Sequence, residues 1–153
     1  MVKRYVSWTD YLNALEITLQ DVLKDGADKF TFVAGISRGG LIPATLFSHR
    51  LVLPLISIDP NFSFKSPRRG RGLLVDDISD SGNTFSRVIK ENADWVNWKV
   101  AAPYYKSSTV TLPHYSSTLV SPEEWVVFPY ESDFDQPLLS FTERRNGSLL
   151  SQS

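Results

Sequence analysis

The sequence predicts an α/β domain with a central, mostly parallel sheet flanked by helices. Three observations carry this. Phe30 to Ile36 and Gly72 to Val75 are short apolar runs that suit strands buried on both faces. Each run gives way to a loop containing glycine, Ser37-Arg38-Gly39-Gly40 in one case and Asp80 to Thr84 in the other. Each loop then enters a segment with helical patterning, and strand, loop, helix repeated is how α/β domains are built. A chain of 153 residues is long enough to bury a real core as one domain.

The elements follow in order. Tyr5-Val6-Ser7-Trp8 is a short strand or extended lead-in. Thr9 is the predicted N-cap of a first helix, with Asp10 in its first turn. Leu12, Leu15, Leu19 and Val22 recur at spacings of three and four, giving an amphipathic helix, and Gly26 stands where a C-cap glycine belongs. After the strand to Ile36, Leu41 to Arg50 predicts a helix with Pro43 tolerated in the first turn. Leu51 to Ile58 is the next strand, and Pro54 delays its start or puts it near an edge. Residues 59–71 carry two prolines, a glycine, Lys65, Arg68, Arg69 and Arg71. Two readings stay open for them: a solvated loop, or a mobile cover that brings cations to an anionic ligand. Phe85, Val88 and Ile89 mark a helix, Val100 to Tyr105 a strand, and Tyr115 to Val120 another short strand.

Composition sets limits. Hydrophobic residues make up 42% of the chain and charged residues 22%, values of a globular protein. A net charge of −1 gives no electrostatic case for nucleic acid or an anionic membrane. The absence of cysteine excludes disulfides and thiolate metal sites and fits a cytoplasmic protein. No apolar stretch behind the amino terminus is long enough for a signal peptide or a membrane span.

The chemistry concentrates in Leu73-Leu74-Val75-Asp76-Asp77-Ile78-Ser79-Asp80-Ser81-Gly82-Asn83-Thr84. A glycine-containing loop entering a helix offers unpaired backbone N–H groups and the positive end of a helix dipole to an anion. Ser81, Gly82, Asn83 and Thr84 suit phosphate oxygens. Asp76 and Asp77 repel phosphate and must face hydroxyls or a divalent cation such as Mg²⁺, which takes one or two carboxylates plus substrate oxygens. A ligand with a 5′-phosphate, a ribose and a metal-bound polyphosphate answers both demands. 5-Phospho-α-D-ribosyl 1-diphosphate (PRPP) is such a ligand. An ordinary strand–turn–helix would explain one capping aspartate, but not three aspartates within five residues beside a phosphate-type loop.

The stretch resembles the PRPP signature of type I phosphoribosyltransferases: an apolar run, two acidic residues, two spacers, Asp, then Ser/Thr-Gly-x-Thr. Ile36 to Ala44, with Ser37-Arg38-Gly39-Gly40, resembles the pyrophosphate loop of the purine members, where the Ser–Arg peptide bond is often cis. Trp125-Val126-Val127-Phe128-Pro129-Tyr130-Glu131 resembles the hood segment of the xanthine–guanine–hypoxanthine group, Trp-x-Val-Phe-Pro-Trp-Glu, with Tyr130 in place of the second tryptophan. The resemblance covers about residues 5–131 and implies a type I phosphoribosyltransferase fold with a small hood for the base. It implies transfer of phosphoribose from PRPP to a 6-oxopurine, with Mg²⁺ as cofactor.

It also implies roles. Asp76 and Asp77 bind the ribose hydroxyls and position the metal. Asp80 is the catalytic residue near the base, and residues 80–84 hold the 5′-phosphate. Ser37, Arg38, Gly39 and Gly40 bind pyrophosphate. Lys106, at a strand end, donates to the purine 6-oxo group; Trp125 stacks on the base and backbone groups around Val126 read its edge. A homo-oligomer, dimer or tetramer, is expected, with residues 132–153 a tail or an arm beyond the domain of 1–131. Two alternatives stay open: the same chemistry on another nucleobase, and a non-catalytic regulator that binds PRPP or nucleotides.

Overall fold

The computed structural model describes residues 1–132. The central sheet has four parallel strands in the order β3-β2-β4-β6: β2 (Phe32–Ile36), β3 (Leu55–Ile58), β4 (Gly70–Val75) and β6 (Val96–Ala101). Buried residues alternate cleanly between its faces. Val33, Leu73 and Val75 point to one side, against Tyr11, Leu15, Leu19 and Val22 of α1 (Trp8–Asp25) and Ala44 and Phe47 of α2 (Leu41–Leu51). Phe32, Ala34, Leu74 and Val100 point to the other, against Phe85 and Val88 of α3 (Asn83–Glu91). Both faces of the sheet are therefore covered at its centre, which explains why β2 and the end of β4 read as unbroken apolar runs.

The chain leaves β2 through α2 to β3 on one side, then returns to place β4 on the other side of β2. The strand order thus reverses between β2 and β4. In open α/β sheets such a switch point opens a crevice at the carboxyl ends of the strands. The 37–40 loop follows β2 and the 76–82 loop follows β4, so both predicted binding loops lie at that crevice.

Two smaller sheets complete the domain. β5 (Ile78–Ser79), β7 (Tyr104–Lys106) and β8 (Thr118–Val120) form one, and β1 (Val2–Tyr5) pairs in parallel with β9 (Glu124–Val127) to form the other. A one-turn helix, α4 (Pro129–Ser132), follows β9. Of the expected tail, 132–153, all but Ser132 lies outside the described residues. Among the described residues no helix is long and apolar enough to cross a membrane.

Several predicted boundaries move, each for a local reason. The cap of α1 is Ser7, whose hydroxyl accepts from the Asp10 N–H at 3.1 Å, so Thr9 is already inside the helix. Leu12 is exposed, and Tyr11 takes its place in the core. The strand expected from Leu51 starts only at Leu55, because α2 runs on to Leu51 and ends on Val52 in the left-handed region, φ 56°. The strand expected over Val100 to Tyr105 is two strands in two sheets, parted at Ala102-Pro103.

The 59–71 segment is shorter as a loop than expected, because β4 already begins at Gly70. The buried Asn92 accepts from the Ser66 N–H at 2.7 Å and donates to the Phe64 carbonyl at 3.0 Å. Arg87 donates to the Pro60 carbonyl at 2.7 Å, and Lys65 sits over the Trp95 ring. The segment is fastened along α3 and enters β4 at the end opposite Asp76. Arg71 pairs with Asp25 at 3.5 Å and stacks over Phe30, so it serves the scaffold.

Candidate active site

The site begins where β4 ends. Asp76 and Asp77 follow Val75, and the Asp76 N–H donates to the Ala101 carbonyl at 3.2 Å, which ends the β4–β6 ladder just under the pair. Asp76 Oδ1 accepts from the Asp77 N–H at 2.8 Å. Burial raises both carboxyls above the usual carboxylate range, and the Asp77 charge pushes Asp76 up further. For Asp77, a hydrogen bond from the Tyr130 hydroxyl works in the opposite direction. Two part-buried carboxylates side by side form a hard-oxygen pair that a divalent cation would relieve. No cluster of three or more metal-ligating side chains occurs among the described residues. A Mg²⁺ held here would therefore take Asp76 and Asp77 as its protein carboxylates and complete its shell with substrate oxygens and water.

The anion loop comes next. Gly82 caps α3 in the left-handed region at φ 79°, a conformation that favours glycine, and the first turn of α3 holds no acidic residue. Asp76, Asp77, Asp80, Ser81, Gly82 and Thr84 line one cavity of about 210 Å³ together with Ile78, Ser79 and Phe85. The carboxylates and the helix N-terminus are thus brought to a single space, as the sequence predicts.

A set of hydroxyls that sequence reasoning missed fastens this loop from outside. Thr111 Oγ1 donates to the Gly82 carbonyl and shares a hydrogen bond with Ser86 Oγ, both at 2.8 Å. Buried Ser79 bonds Thr109 Oγ1 and the Thr111 carbonyl, also at 2.8 Å each, and the Val110 N–H donates to the Ser81 carbonyl at 2.9 Å. A Cβ on Gly82 would collide with Thr109 and Thr111, so this glycine is fixed by packing as well as by φ. The only signal in the sequence was a run of hydroxyl residues after Lys106, which by itself says nothing about what it touches.

The second loop comes from β2. The Ser37–Arg38 peptide bond is cis, as the resemblance implies. Gly39 and Gly40 differ in what they make room for. A Cβ on Gly39 would overlap the Asp77 carboxylate and lie 3.1 Å from the Tyr130 hydroxyl. A Cβ on Gly40 would lie 2.5 Å from the Ile36 carbonyl and 2.8 Å from both Asp76 and the Val75 carbonyl. Gly39 abuts the Asp77 side chain, and Gly40 is wedged against the Ile36 and Val75 carbonyls. Arg38 is exposed.

Lys106 ends β7 with its side chain almost wholly buried. Its ammonium finds Asp80 Oδ1 at 3.2 Å and the Pro122 carbonyl at 3.3 Å. The lysine and the aspartate that sequence analysis placed on the base are therefore paired. Pro122 stands three residues before Trp125, which is half exposed on β9, while Val126 turns its side chain into the core and leaves only backbone for a ligand. Tyr130 enters the site as well. The sequence marked it as a departure from tryptophan but gave no sign that its hydroxyl would reach Asp77.

No family model matches the chain. A xanthine-guanine phosphoribosyltransferase of Desulfotalea psychrophila is 30% identical over 133 residues, covering 76% of this chain and 81% of that one. The structure of a purine phosphoribosyltransferase from Pyrococcus horikoshii superimposes with a TM-score of 0.74 at 28% identity, over 92% of this chain and 99% of that one. A Helicobacter pylori xanthine-guanine-hypoxanthine phosphoribosyltransferase, 20% identical, shares the fold with a TM-score of 0.67 over 87% of this chain and 96% of that one. The chain belongs to the type I phosphoribosyltransferases and resembles their xanthine–guanine group.

Proposed function

We propose that the protein transfers phosphoribose from PRPP to a 6-oxopurine and releases diphosphate. The observation that carries the reading is the buried Lys106, held at 3.2 Å from Asp80 beside the anion cavity. A buried ammonium that shares its site with an acid gives a purine two handles: a donor for the 6-oxo oxygen and an acceptor for a ring N–H.

The reaction breaks the bond between ribose C1 and the diphosphate oxygen and forms one from C1 to purine N9. Positive charge builds on the ribose as the leaving group departs. Asp76 and Asp77 accept from the ribose hydroxyls and put negative charge near that cation. Ser81 to Thr84 and the amino end of α3 hold the 5′-phosphate. The 37–40 loop, with the exposed Arg38, cradles the diphosphate. Asp80 takes up the purine proton released as N9 bonds. Trp125 offers a flat face to the base, and the Val126 backbone reads its edge. A Mg²⁺ held by Asp76 and Asp77 would supply positive charge to the diphosphate.

Two substitutions test the base assignment because they should fail differently. Trp125→Ala removes stacking worth ~1–3 kcal/mol and should lower kcat/KM for every purine alike. Lys106→Ala should lower kcat/KM about 100-fold for guanine, xanthine and hypoxanthine, by loss of a charged donor to a buried acceptor. It should do little to an already poor use of adenine. The measurement is kcat/KM for each base at saturating PRPP. An equal loss on adenine would show that Lys106 acts by holding Asp80 and does not read the base.

A further inference from the structure

Tyr130 is held on three sides. Its ring stacks on Phe128 with centroids 5.5 Å apart and planes within 5°, meets Tyr11 edge-on at 5.8 Å and approaches Trp8 at 6.4 Å. Phe128 and Tyr11 are themselves buried, so the core fixes where the ring lies. From there the hydroxyl donates to the carboxylate of Asp77, 53 residues earlier in the chain. The same hydroxyl is 3.1 Å from the point where a Cβ on Gly39 would stand. It therefore occupies the corner where the acidic pair meets the 37–40 loop.

An aspartate side chain at the end of a strand has two torsions to settle, and a ligand that needs one orientation loses affinity to the others. One hydrogen bond from a phenol packed against Phe128, Tyr11 and Trp8 removes much of that freedom. It also leaves room for a ligand, because an ionised carboxylate has about four acceptor sites. We propose that Tyr130 is a positioning residue for PRPP: its hydroxyl holds the Asp77 carboxylate in the orientation that receives the ribose hydroxyls. The inference rests on the reading that Asp77 binds the ribose. It further means that the segment carrying Trp125 also organises the PRPP site, through a residue five positions on.

Tyr130→Phe keeps the ring and deletes only the hydroxyl. Calorimetry with PRPP and Mg²⁺ should show roughly a tenfold weaker Kd than wild type, the scale of one hydrogen bond to a charged group. The KM for the base, at saturating PRPP, and the Tm should stay near wild-type values, which a merely structural role would not produce. Unchanged PRPP affinity in Tyr130→Phe, beside a wild type that binds PRPP, overturns this proposal alone. A loss that appears equally in the base KM and the Tm overturns it too, by showing that the hydroxyl supports packing. A wild type with no PRPP affinity overturns both this proposal and the functional reading beneath it.

Discussion

Asp76→Asn with Asp77→Asn should abolish high-affinity PRPP binding while leaving the protein folded and at least as heat-stable as wild type. The two halves have one origin. Burial raises both carboxyls above their unfolded values, and their mutual repulsion adds to this for Asp76. A carboxyl whose folded pKa is raised favours the fold below its unfolded pKa, and that advantage is lost as pH rises through the folded value. Near neutral pH, above both unfolded values, the raised carboxyls therefore cost stability, and neutral asparagines remove the cost. The amide introduced at position 76 keeps an oxygen that can accept from the N–H of residue 77, so the turn at the end of β4 survives. Function moves the other way, since two amides neither attract a cation nor accept as strongly from ribose hydroxyls. Calorimetry with PRPP, with and without EDTA, and a melting curve at neutral pH read both halves. Unchanged affinity in the double variant would remove the acidic pair from the ligand site.

Gly39→Val should lower turnover by more than 100-fold while lowering Tm by only a few degrees. Gly39 has no left-handed backbone requirement, so the effect comes from space. A β-carbon there would overlap the Asp77 carboxylate and crowd the Tyr130 hydroxyl. Asp77 can swing aside at modest cost to the fold, but it then leaves the place where the ligand needs it, and the valine occupies the approach to the diphosphate. Gly40 is the internal control. Its missing Cβ faces the Ile36 and Val75 carbonyls, which cannot move without disturbing two strands. Gly40→Val should therefore act mainly on folding. Paired measurements of kcat and Tm on the Gly39 variant check the expectation, and wild-type activity in it would make 37–40 an ordinary tight turn.

The placement of the candidate site's loops was legible because each loop is local in sequence. Val75 ends a strand, Asp76 and Asp77 must follow at its carboxyl end, and Gly82 must turn the chain into α3. The same logic placed the 37–40 loop after β2. What connects these parts is not local and left no trace in the pattern. Thr111 reaches Gly82 across 29 residues and Tyr130 reaches Asp77 across 53. A threonine in a polar loop and a tyrosine in an aromatic run carry no mark of their distant partners. The misplaced boundaries have a similar cause. Val52 adopts a left-handed cap although it is β-branched, because its N–H and that of Leu53 satisfy the last carbonyls of α2, and propensity alone predicts the opposite. Arg71 looked like a free cation in a loop, and only the sheet shows it facing Asp25.

The most direct measurement incubates the unmodified protein with PRPP and Mg²⁺ and, separately, with guanine, xanthine, hypoxanthine, adenine and orotate, following nucleotide and diphosphate together. The account predicts equal amounts of nucleotide and diphosphate with at least one 6-oxopurine, and little or none with adenine or orotate. Nucleotide formed from adenine or orotate in preference would contradict the role given to Lys106. PRPP bound tightly with no nucleotide formed from any base would contradict transfer itself and leave a protein that senses PRPP.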